Sequence, residues 1–101
     1  MINEEFVEKV YDCVRLIPFG KVSTFCEIAK VLGGRYHSLK VRKVVNKVNI
    51  ASIPFYRVVD RDGGLQKDSR RRRLQKSMLE LESVEVCGNK VDLQKYGFYF
   101  W

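Results

Sequence analysis

The sequence has no apolar run long enough to cross a bilayer, and Met1-Ile2-Asn3-Glu4-Glu5 lacks the basic start of a secretory signal. These absences argue against a membrane protein and lead us to expect a soluble, intracellular chain, cytoplasmic beside a nucleoid or nuclear. Cysteine is sparse: Cys13, Cys26 and Cys87 are an odd number, widely spaced and without a C-x-x-C pair. That argues against a disulfide framework and a zinc site, and the thiols are read as reduced and mostly buried; no metal and no cofactor are expected. There are no internal repeats and no linker, and 101 residues leave room for one domain, 1–101, around one modest core. Acid is also in short supply, with 12 Asp and Glu against 19 Lys and Arg, a net charge of +7. A surplus of that sign favours phosphate backbones or anionic surfaces as partners without choosing between them.

What is present is a globular composition, 46% hydrophobic, far too apolar for a disordered chain. From Asn3 to Leu16 the apolar residues Phe6, Val7, Val10, Cys13 and Val14 recur at helical spacing, with Asn3 as a cap. Ile17-Pro18-Phe19-Gly20 ends that helix, and Lys21-Val22-Ser23 is a short extended piece. Thr24 and Glu27 have the spacing of a capping box that opens a short helix, which Gly33-Gly34 closes. Ser38 is positioned to cap the next helix, about Leu39 to Val48. On a wheel of about 100° per residue, Val41, Val44, Val45 and Val48 form a buried stripe. Lys40, Arg42, Lys43, Asn46 and Lys47 fall on the opposite arc. Two short helices about a glycine turn, the second with a basic outer face, make a helix-turn-helix pattern. A solvated lysine face on a core helix would give the same wheel.

From Asn49 to Val59 the chain reads as irregular, and Asp60 to Gly64 as a turn. A helix from about Arg70 to Glu82 begins in the run Arg70-Arg71-Arg72-Arg73 and carries Leu74, Met78, Leu79 and Leu81. The run is read either as a phosphate or acidic-partner contact or as a solvated helix start, its charge opposing the helix dipole. Val84 to Leu93 alternates about Gly88-Asn89 as a small hairpin, and Tyr96 to Trp101 is an aromatic tail expected to pack on the domain. The expected fold is mainly α with a small β element, a winged helix-turn-helix-like single domain.

Taken together and in order, these segments resemble the DNA-binding domain of O6-alkylguanine-DNA alkyltransferases. Ile17-Pro18-Phe19-Gly20-Lys21-Val22-Ser23-Thr24-Phe25 is similar to that family's I-P-x-G-x-V-x-T-Y, continued by Ile28-Ala29 and Leu32-Gly33. Ile53-Pro54-Phe55-Tyr56-Arg57-Val58-Val59 stands where the family has I-P-C-H-R-V-V, after a hinge asparagine at Asn49. Asp62-Gly63-Gly64-Leu65 matches the turn that follows, and Met78 to Val84 resembles L-L-x-x-E-G-V. The resemblance implies minor-groove binding, a recognition helix whose arginine fills the gap left by a flipped nucleotide, and a cysteine activated through histidine and glutamate that takes the O6-alkyl group.

Position by position, the nucleophile is Phe55 and the histidine is Tyr56, so no catalytic residues are expected and the chain is read as a non-enzyme. Its counterparts with the cysteine replaced are alkyltransferase-like proteins, which bind O6-alkylguanine without repairing it. Glu82 stands at the relay glutamate and is expected to hold the loop around Phe55. Cys26 lies in the wrong part of the pattern to replace the missing thiol. The implied DNA-binding residues are Thr24, Phe25, Lys40, Arg42, Lys43 and Lys47, with Lys40 the first choice for the finger and Arg42 the second. The implied lesion pocket is Phe25, Asn49, Pro54, Phe55, Tyr56, Arg57 and Ser69. The partner is then double-stranded DNA, alkylated in the leading reading, bound by a monomer that flags lesions to nucleotide excision repair proteins. A general basic helix-turn-helix with no lesion pocket is the alternative, ahead of a protein-interaction domain and of an active alkyltransferase.

Overall fold

A computed structural model describes residues 4–33, 38–47 and 53–100. Asn3, Gly34, His37, Val48 and the expected hinge residue Asn49 lie outside the described residues. Helix α1 (Glu4–Leu16) carries Glu4 and Glu5 in its first turn and Arg15 in its last, the charge order that suits the helix dipole. Its inner face buries Val10, Cys13 and Val14. The chain then turns through Ile17–Gly20 into strand β1 (Ser23–Thr24).

Thr24 caps helix α2 (Phe25–Val31), its hydroxyl accepting from the Glu27 amide at 3.1 Å. Helix α3 (Ser38–Lys47) includes Ser38 rather than being capped by it. Val41, Val44 and Val45 are buried as the wheel requires, in contact with α1 and α2. The helix-turn-helix expected from periodicity is therefore packed on one valine stripe.

The segment read as irregular holds more order than expected. A single 3₁₀ turn, Phe55–Arg57, leads into strand β2 (Val58–Val59), which pairs in parallel with β1, Ser23 opposite Val58 and Thr24 opposite Val59. Two residues are too few to show a strand period, and the partner is far away in sequence, so no local pattern announces the pair. The Val22 amide donates to the Tyr96 carbonyl and the Phe98 amide to the Val22 carbonyl, which clips the aromatic tail onto the same edge.

Helix α4 (Ser69–Leu81) starts one residue before the expected Arg70. Its cap is Asp68, whose carboxylate accepts from the Arg70 amide and sets a negative charge against the arginine run. Its inward face is Gln75 and Leu79, while Leu74 and Leu81 are exposed. Gln75 is fully buried and fully employed: its amide nitrogen donates to the Tyr56 and Val58 carbonyls, and its oxygen accepts from the Gln66 amide. It thus pins the 3₁₀ turn and β2 to α4.

Strands β3 (Val86–Cys87) and β4 (Lys90–Val91) form the expected hairpin, with Gly88 and Asn89 both at positive φ as a tight primed turn requires. A short helix α5 (Leu93–Tyr96), capped by Asp92, follows and was not expected. Tyr96, Phe98 and Phe100 pack against the core, as anticipated for the tail. Gly63 is required where the turn meets the hairpin, because a side chain there would clash with the Val91 carbonyl. One expectation fails. Only Cys13 is buried; Cys26 is half-buried and Cys87 exposed, since a two-stranded hairpin turns one face of β3 to water.

Ser83, which follows α4 at the glycine position of the matched pattern, has φ 64°. A left-handed backbone is unfavourable for a residue with a Cβ, by roughly 1–2 kcal/mol. Ser83→Gly is therefore expected to stabilise the protein, raising the midpoint by about 4–8 °C per kcal/mol. Thermal unfolding followed by circular dichroism checks this; an unchanged or lower midpoint contradicts it.

Candidate nucleic-acid interface

The outer side of α3 presents Lys40, Lys43 and Lys47 to solvent, together with Leu39. Arg42 is not free in the same way. Its guanidinium donates to Asp60 Oδ1 at 2.6 Å and lies 4.6 Å from the centroid of the Phe25 ring. Asp60 and Phe25 together draw Arg42 off the lysine face, and a half-exposed pair of this geometry resists being pulled apart. Phe25 is buried beneath it, and the Thr24 hydroxyl is engaged as a helix cap.

The 3₁₀ turn is held from several sides at once. Phe55 is only 2% exposed, and its ring meets Tyr56 edge-on at 6.0 Å. The Tyr56 hydroxyl donates to Glu82 Oε2 at 2.8 Å. Arg57 donates to both Glu82 oxygens, at 3.0 Å from Nε and 2.6 Å from the second terminal nitrogen, and its other nitrogen reaches the Ile17 carbonyl at 2.9 Å. The Gly20 amide completes the set, donating to Glu82 Oε1 at 2.9 Å. Glu82 is therefore the knot that ties the Ile17–Gly20 turn and the Phe55 turn to the end of α4, the structural role expected for it.

These contacts fix the protonation states. Burial pushes the Glu82 carboxyl up, but the Arg57 guanidinium, the Gly20 amide and the Tyr56 hydroxyl outweigh it and hold the group below the ordinary carboxylate range. Burial, aided by the hydrogen bond to Glu82, raises the Tyr56 phenol above its ordinary value. Tyr56 therefore keeps its proton and directs it at Glu82 as a hydrogen-bond donor, which is the opposite of a general base. Phe55 offers no lone pair, and Glu82 has both oxygens occupied. Cys26 sits on α2, in the wall of a cavity of about 470 Å³ shared with Glu27, Ser38 and Phe98. Of the expected site residues that are described, only Thr24 lines that cavity, which includes no residue of the Phe55 turn.

Ser69 is exposed at the start of α4, whereas Arg71 reaches the Phe55 ring. The Arg71 guanidinium lies 5.0 Å from the ring centroid and donates to the Val45 carbonyl at a long 3.4 Å. Its Nε is buried and finds no partner among the described residues. Reading the arginine run as a charged block hides this residue. Its spacing of four from Gln75 and eight from Leu79, the buried face of α4, is the signal that finds it. Pro54, Phe55, Tyr56 and Arg57 are thus brought together, with Arg71 over the Phe55 ring; Phe25 lies under Arg42 and shares the core cluster with Phe55 and Tyr56, and Asn49 lies outside the described residues.

Residues 5–84 match the family model of the 6-O-methylguanine DNA methyltransferase DNA-binding domain. The chain belongs to this family. Among similar members, alkyltransferase-like protein 1 of Schizosaccharomyces pombe is 34% identical, with 100% of this chain and 98% of that protein covered. The DNA base-flipping protein of Vibrio parahaemolyticus is 34% identical over 92% of this chain and 95% of its own length. The crystal structure of S. pombe Atl1 in complex with damaged DNA containing O6-carboxymethylguanine superposes with a TM-score of 0.88 at 34% identity, covering 97% of this chain and 98% of that one. The O6-methylguanine methyltransferase of Mycobacterium tuberculosis, 23% identical with a TM-score of 0.70 over 93% of this chain and 56% of its own, shares the fold.

Proposed function

We propose that this protein binds O6-alkylguanine in double-stranded DNA without repairing it, turning the lesioned nucleotide out of the duplex toward the Phe55 turn. The observation that carries the reading is the turn itself. A family frame of Pro54, Arg57, Val58 and Val59 is retained on the Glu82 knot, while the reacting position holds Phe55 and the neighbouring base position holds a protonated Tyr56. Relatives named as alkyltransferase-like and base-flipping proteins, one solved on damaged DNA, support the same assignment.

Lys40, Lys43 and Lys47 hold phosphates, and Phe25, Pro54, Phe55, Tyr56, Arg57 and Ser69 with Asn49 surround the extruded base. Arg71 covers Phe55 in the free protein and must swing aside, giving up its contact with the ring and its long bond to the Val45 carbonyl. The protein acts as a monomer. Because the lesion survives binding, other proteins must remove it, and nucleotide excision repair proteins are the partners this calls for. The intact mass of the protein after incubation with O6-methylguanine DNA is expected to be unchanged; a gain of one methyl group overturns the reading.

The sealing of Phe55 favours a second reading, a basic helix-turn-helix that binds DNA without a lesion pocket. It differs by requiring equal affinity for guanine and the lesion.

A further inference from the structure

Helix α4 buries Gln75 and Leu79 on one side, and at about 100° per residue the direction opposite them falls on Ser77. Arg70, Arg73, Leu74, Glu80 and Leu81 lie within about 60° of Ser77, and all six are exposed. A surface helix turns its leucines inward; this one faces the core partly with a glutamine and leaves two leucines outside. Leu74 is 41% exposed and Leu81 75%. One exposed leucine is ordinary on a protein surface, but these two are one heptad apart on the same side, the spacing of a seam between two helices. Arg70, Arg73, Leu74 and Ser77 line a shallow depression of about 280 Å³. Arg70, Arg73 and Lys76 make no ion pair among the described residues, and Glu80 is the only acidic residue of α4.

The composition of the stripe selects its occupant. A phosphate backbone would satisfy the arginines and leave both leucines in water. Arg71, the arginine that reaches Val45 on α3, points about 100° round the helix from Arg70, so the side of α4 that meets α3 is not the side that carries the stripe. A second copy of the chain would set the same cations against themselves, on a protein whose net charge is already +7. An apolar seam edged by arginine is instead the make-up of a protein interface, and its charge calls for acid on the other side. We propose that this stripe docks an acidic amphipathic helix of another protein, with apolar side chains on Leu74 and Leu81 and carboxylates on Arg70, Arg73 and Lys76. The surface does not depend on lesion recognition and contains no residue of the Phe55 turn.

The test uses the full chain without DNA and three fluorescein-labelled helical peptides, followed by anisotropy. The first has leucines at heptad spacing flanked by glutamates, the second the same composition with the leucines scattered round the helix, and the third lysine for every glutamate. The first is expected to bind about tenfold more tightly than the second, the gain from burying leucine against leucine, and the third not to bind. Leu74→Ser with Leu81→Ser removes the preference for the first peptide, whereas Arg73→Gln weakens both acidic peptides and lessens the dependence on salt. Since these side chains are exposed, the variants keep the wild-type unfolding midpoint, and lost binding is not a failure to fold. Equal affinity for the two acidic peptides, or a preference that survives the double leucine variant, overturns the proposal. So does self-association that Leu81→Ser abolishes, which would make the occupant a second copy. Absence of peptide binding together with weakened duplex binding by Arg73→Gln would give the arginines to phosphate and overturn it as well.

Discussion

Glu82→Ala is expected to unfold the protein at a temperature far below the wild type. The carboxylate is 4% exposed and accepts from Arg57, Tyr56 and the Gly20 amide. Its removal leaves the Arg57 guanidinium, 14% exposed, without its counter-charge. Breaking a buried pair by deleting one partner costs about 3–5 kcal/mol, which at about 4–8 °C per kcal/mol is a drop on the order of 20 °C. Linkage gives the same pair a pH signature. A carboxyl whose folded pKa is depressed contributes its stability above the unfolded value, about 4.3 for Glu, and loses it as pH falls through the lower folded value. Wild-type stability should therefore fall on the acid side of that range, and Glu82→Gln, which cannot titrate, should flatten this limb. Denaturant melts between neutral pH and about pH 3 check both; a near-wild-type midpoint for Glu82→Ala would remove the knot from the account.

The second large effect is on recognition. Phe55→Leu is expected to abolish most of the preference for O6-methylguanine over guanine while changing affinity for undamaged DNA little. Contact of an aromatic ring with an extruded base contributes about 1–3 kcal/mol, a factor of roughly 5 to 150 in affinity. Leucine is the informative replacement because Phe55 is buried. Truncation to alanine would leave a cavity costing about 3–5 kcal/mol and confuse impaired folding with impaired recognition. Titrations of matched duplexes by fluorescence anisotropy check it, and a preference that survives in Phe55→Leu removes Phe55 from the pocket.

The parts of this fold that are legible in the sequence are those governed by local rules. The Thr24 cap, the valine stripe of α3 and the Gly88-Asn89 turn each follow from a few adjacent residues, and each stands where it is expected. The β1–β2 pair and the buried Gln75 are not legible, because their partners are set by tertiary packing and not by spacing. The site divides the same way. The family pattern groups Pro54 to Arg57 and attaches Glu82 to them, but charge counting misplaces two residues. Arg42 looks free and is paired with Asp60, and Arg71 looks solvated and lies over Phe55.

The central claim is that a frame stripped of its nucleophile still reads the lesion. Competition at one fixed salt concentration between otherwise identical duplexes, one with guanine and one with O6-methylguanine, tests it most directly. The account predicts at least about tenfold tighter binding of the lesion, about 1.4 kcal/mol. Equal affinity for the two would contradict it and leave a basic helix-turn-helix with a closed pocket.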